Sequence, residues 1–143
     1  MCHRKYLPTF ADLIDRLSIV QLKIINIPEH KEEYEKEKEL IMNDIEEILN
    51  YEKSVKITSK LLWAIQVVGL VNKAIWDNES RARAGGAEQD KLLKFTHSLN
   101  GIRNTAKNII SIELGERIDL RVDCLAAELC EEFGNWNIFE NEK

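Results

Sequence analysis

The side chains best suited to hold a ligand fall on two stretches of the chain. Asn72, Trp76, Glu79 and Arg83 are spaced by four, three and four residues. That rhythm puts a carboxamide, an indole, a carboxylate and a guanidinium on one face of a helix. Traced backwards, the same face carries Val68 and Ile65, so the polar set continues an apolar stripe. Burying such groups unpaired costs about 1–3 kcal/mol each, and more for charges. Each therefore needs a partner, in the protein or in a ligand. The second stretch supplies His97, Asn100, Asn104 and Lys107 at the same three-four spacing, with Arg103 beside an apolar seam. Near the N-terminus, Asp12, Asp15, Arg16 and Lys23 add charge, with Asp12, Arg16 and Lys23 on one side of a helix. Two arrangements account for this set. In one, a pocket takes a small anion: Arg83, Arg103 and Lys107 meet its charge, Trp76 stacks on a planar ring, and Asn72, Asn100 and Asn104 supply hydrogen bonds. In the other, the same groups form a polar network that fixes helix register, with His97 and Asn104 at the surface.

A separate acidic pattern suggests metal chemistry. Glu113 and Glu116, then Glu128 and Glu131, form two Glu-x-x-Glu pairs with eleven residues between them. Paired carboxylates on two helices can hold Mg²⁺ beside a triphosphate. The pattern resembles the metal motif of all-helical nucleoside triphosphate pyrophosphohydrolases, with Glu131 where that motif has Asp. Here both pairs fall on one expected helix rather than two, and Asp119 and Asp123 are further oxygen donors. Outside this alternative no cofactor or metal is expected, and no catalytic residue is assigned. The chain has no P-loop, no Rossmann glycine pattern, no His-Glu-x-x-His and no nucleophile elbow. Cys2, Cys124 and Cys130 are odd in number and wrongly spaced for a zinc knuckle, and read as reduced thiols.

Helices must position these residues, because three-four periodicity dominates the chain. Thr9 followed by Asp12 forms a capping box with Asp in place of Glu. Behind it, Phe10, Leu13, Leu17, Val20, Ile24 and Ile27 make the stripe of a first helix. Ile14, Ile19, Leu22 and Ile25 lie off that stripe, which predicts cover on more than one side. A second helix is expected from about Glu29 to Tyr51, beginning in a dense charge run with a solvated face. Thr58 or Ser59 can cap a third helix, apolar nearly all round from Leu61 to Val71, which predicts that it is central. Gly85-Gly86 ends it, and a fourth follows from about Gln89 to Glu113, seamed by Leu92, Phe95, Leu99, Ile102, Ala106 and Ile109. The stretch from Ile118 to Gly134 fits both a strand and a helix at its start. A helix is favoured because no second strand exists to pair with it. Trp136, Ile138 and Phe139 are expected to fold back on the core.

The 143 residues are 44% hydrophobic and 31% charged, with net charge −5. That is one domain's worth of chain, long enough to bury a core without staples. The acidic balance excludes a bulk nucleic-acid binder. No apolar run approaches the ~20 residues of a membrane-spanning helix, and no apolar signal core follows the N-terminal charges, so a cytoplasmic protein is expected. The charge is uneven. Arg81, Arg83, Lys91, Lys94, Arg103 and Lys107 face only Glu88 and Asp90 between residues 81 and 107, a local +4 within a remainder of −9. A small basic site in an acidic body suits a small anion better than a polymer.

The segment Asn72-Lys-Ala-Ile-Trp76-Asp-Asn-Glu79-Ser-Arg-Ala-Arg83, with Leu99-Asn100-Gly-Ile-Arg103-Asn104 one helix later, resembles an all-helical bacterial family often encoded near lipopolysaccharide glycosyltransferases. Phe10-Ala-Asp12-Leu-Ile-Asp15-Arg16-Leu-Ser-Ile resembles the start of a related helical family. The whole chain is similar to small tailed-phage proteins of unassigned function. The likeness covers Phe10 to Ile110 in pieces. By matching positions it implies that Asn72, Trp76, Glu79, Arg83, Asn100, Arg103 and Asn104 are functional or network residues; where the family carries Lys or another basic residue, this chain has His97. It implies no established activity. A phage setting would imply sequestration of a host signalling nucleotide in the host cytoplasm, blunting defence.

The expectation is one all-α domain over residues 1–143, a compact bundle of about five helices around the third. It would be a homo-oligomer that binds a small anion, with a nucleotide as the first candidate, and would not be an enzyme. The alternatives are a Mg²⁺-dependent pyrophosphohydrolase using the four glutamates and an interaction module that inhibits a host protein through its acidic second helix.

Overall fold

Thr9 starts the first helix as its sequence predicts. Its hydroxyl accepts the Asp12 N–H at 3.2 Å, and the Asp12 carboxylate accepts the Thr9 N–H at 2.9 Å, closing a reciprocal capping box. The computed structural model describes residues 4–51, 55–86 and 88–119. They form α1 (Phe10–Asn26), a 3-10 turn (Pro28–His30), α2 (Lys31–Tyr51), α3 (Ser59–Arg83) and α4 (Gln89–Leu114). Pro28 opens the turn, where a missing N–H costs nothing. Thr58 caps α3 by accepting the Leu61 N–H at 3.0 Å. Gly115 ends α4 in the left-handed region, at φ 68°, where a side chain would be strained.

α1 and α3 run side by side in the same direction. Phe10 and Ala11 pack with Leu61, Ala64 and Val68, while Asp15 and Ser18 reach Asn72. α4 returns antiparallel to α3, adding Ala106 and Ile110 to the first cluster and Leu99 to a second one with Val71 and Ile75. α2 runs back along α1, burying Leu13, Val20 and Ile41 between them. Arg16 reaches Glu37 across this pair at 2.6 Å, and the Lys23 ammonium lies 5.4 Å from the Tyr34 ring centre.

Two expectations need revision. Four α-helices, not five, occur among the described residues; the helix expected from Ile118 to Gly134 and the Trp136, Ile138 and Phe139 tail fall almost wholly outside them. The central element is α1 rather than α3, since α1 alone lies against each of the other three helices. Apolar composition all round α3 suggested cover all round. Only the faces toward α1 and α4 are buried, and Leu62 and Leu70 remain 49% and 71% exposed. Of the apolar residues of α1 off its stripe, Ile14 packs against the first cluster, whereas Ile25 remains 67% exposed. Among the described residues, no helix is long and apolar enough to cross a membrane.

Candidate functional site

Where α1, α3 and α4 meet, the apolar packing is interrupted by a layer of polar side chains. Asn72, only 3% exposed, sits at its centre. Its amide nitrogen donates to the Asp15 carboxylate at 2.7 Å and to the Ser18 hydroxyl at 2.6 Å. Its amide oxygen accepts from Arg103 Nη1 at 3.0 Å, and Arg103 Nη2 donates to the Asn100 oxygen at 2.6 Å. One turn along α4, the Lys107 ammonium pairs with Asp12 at 3.0 Å and Asp15 at 3.5 Å. The sequence folds this way because Asp12 and Asp15 on α1, Asn72 on α3, and Asn100, Arg103 and Lys107 on α4 recur at helical spacing and converge when the apolar stripes close.

The two cations of this layer are balanced differently. Lys107 has two carboxylates. Arg103 has two neutral amide oxygens, and no carboxylate of the described residues lies within ion-pairing distance. A guanidinium carries five N–H donors, so this half-buried cation keeps donors uncommitted. At Asp12, burial opposes the charged form, but the Thr9 N–H and the Lys107 ammonium outweigh it and hold the carboxyl below its ordinary 3.8.

The predicted site residues separate into three groups. Asn72, Asn100, Arg103 and Lys107 belong to the layer. Asn104 is half-buried beside it and lines, with Lys107, a cavity of about 60 Å³ at the start of α1. Trp76, Glu79, Arg83 and His97 lie toward the α3–α4 turn. Glu79, Arg83 and His97 are exposed there, with Arg83 4.0 Å from Glu79. Trp76 is half-buried one turn beyond Asn72. Because α3 and α4 are antiparallel, Trp76 stands at about the level of Asn100. The local excess of positive charge is largely answered nearby: Arg81 by Glu88 at 3.8 Å, Arg83 by Glu79, and Lys107 by Asp12 and Asp15.

The glutamates of the metal alternative have structural partners. Glu113 accepts the Thr58 hydroxyl at 3.0 Å, and both Glu116 oxygens accept the Phe10 N–H at 3.1 Å. Each carboxylate thus serves the start of a different helix, while Glu128 and Glu131 fall outside the described residues. Among the described residues, no group of three His, Cys, Asp or Glu side chains is placed to hold a metal ion. Of the α1 charges, Asp12 and Asp15 join the layer, whereas Arg16 and Lys23 turn to α2. Ser18 was missed, although it lies one turn beyond Asp15 on the same face. Ser111 was also missed; it continues the Asn104–Lys107 spacing and lines the cavity. No protein-family model, curated protein or solved structure matches the chain.

Proposed function

We propose that the protein binds a small anionic ligand without transforming it, with Arg103 as the anchor. The observation that carries this is the pairing of Arg103 with two neutral amides. Amide dipoles orient the guanidinium but leave its charge uncompensated, and a half-buried cation gains most from an anion that supplies the missing charge. Asn72 stands between Arg103 and the Asp15 carboxylate, bonding to both. Trp76 offers a ring surface at the level of Asn100, which suits a ligand with a planar base, and a nucleotide meets both requirements. In the phage setting implied by the sequence resemblance, such binding would withhold a signalling nucleotide from the host.

Calorimetric titration of the full chain with nucleoside mono-, di- and triphosphates tests this. Saturable binding should weaken at least ~10-fold in Arg103→Gln, the scale of one charge-assisted hydrogen bond, and several-fold in Trp76→Ala. Circular dichroism should report unchanged helicity in both. Affinity for no member of the panel, or equal affinity in Arg103→Gln, would overturn the proposal. Turnover of a nucleotide with Mg²⁺, abolished by Glu116→Gln, would replace it with the hydrolase.

A further inference from the structure

We infer that the cavity at the start of α1 is a second binding site, for a small molecule bearing a carboxylate, built from Ala11, Asn104, Lys107 and Ser111. A helix start leaves its first N–H groups without internal partners. In α1, Phe10 donates to Glu116, Asp12 to the Thr9 hydroxyl, and Leu13 to the Thr9 carbonyl. The Ala11 N–H alone has no partner among the described residues, and Ala11 lines the cavity. Ser111 lines it from α4. The residue is only 3% exposed, and its hydroxyl has no hydrogen-bond partner among the described residues. The Asn104 amide, about two turns back along α4, is also without a partner among the described residues. Each of these groups can donate a hydrogen bond, and they gather at the positive end of a helix dipole.

Charge and size narrow the ligand. The walls contain Lys107 and Arg117 against Asp12 and Asp119, a matched set. Such walls disfavour a multiply charged phosphate and suit a monoanion or a zwitterion. A volume of about 60 Å³ admits a molecule of a few heavy atoms. Asp12 is turned away from this role, since its carboxylate is taken by the Thr9 N–H and Lys107. Arg117 holds the rim: it donates to the Leu7 carbonyl and its guanidinium stacks 3.9 Å from the Tyr6 ring centre. The site uses neither Arg103 nor Trp76, so it stands or falls apart from the nucleotide proposal.

The test is titration of the ¹⁵N-labelled full chain with acetate, glycine and inorganic phosphate at constant ionic strength, with chloride as control. Acetate or glycine should saturate in roughly the millimolar range, as expected for so few atoms, and should shift the Ala11 amide. Tighter binding of glycine identifies a zwitterion, and of acetate a simple monoanion. Ser111→Ala should weaken binding about 10-fold with the rest of the spectrum preserved, while Arg103→Gln leaves it unchanged. Absence of saturation, phosphate alone binding, or full affinity in both Ser111→Ala and Asn104→Ala would overturn the inference.

Discussion

Asn72 shows how one amide can serve two oppositely charged neighbours. Its nitrogen faces the acidic side of the layer and its oxygen the basic side, so neither Asp nor Leu could replace it. Asn72→Ala would leave Asp15, Ser18 and Arg103 each short of a partner. The expected loss is about 2–3 kcal/mol, read from urea unfolding. Asp12 makes a pH-dependent contribution. Its carboxyl is held below 3.8 in the folded chain, so the stabilisation is fully present above that value and is lost as pH falls through the lower folded value. The stability difference between the protein and Asp12→Asn should therefore shrink below pH ~3.8, which acid titration at fixed urea would reveal. The spacing of Asn72, Asn100, Arg103 and Lys107 made this layer legible in sequence. Their bonding partners were less so, because spacing gives the face of a helix but not the rotation that brings Ser18 rather than Arg16 toward Asn72.

At the scale of elements, caps carry much of the specification. Thr9 and Thr58 mark two helix starts that the sequence announces, and the observed boundaries follow them closely, while Gly115 closes α4. At Gly115 nothing lies within 4 Å of an added Cβ, so the penalty of Gly115→Ala is conformational alone. It should cost about 1 kcal/mol by thermal unfolding. The rank of the helices was harder to read. Leu62 and Leu70 look like core residues in sequence, yet burial depends on how many neighbours surround α3, and hydropathy does not count them. α1 is less uniformly apolar and has more neighbours.

The whole molecule is asymmetric in its attachments. Among the helices, α2 lies against α1 alone, whereas α1, α3 and α4 lie against one another. Local openings follow such differences in contact density. Hydrogen exchange should therefore release the amides of α2 before those of the other three helices, and Leu17→Ala should widen the gap by weakening the α1–α2 packing. Equal protection of all four helices would contradict this. The contact between Phe10 and Glu116 spans 106 positions of the chain. Of the four helices a ribosome emits α1 first, but the carboxylate that completes its first turn comes from just past the end of α4. Translation thus leaves α1 unfinished until the other three helices have been made. A nascent chain halted short of Glu116 would hold α1 without one of its caps, so the packing of these four helices is completed only once that residue is made.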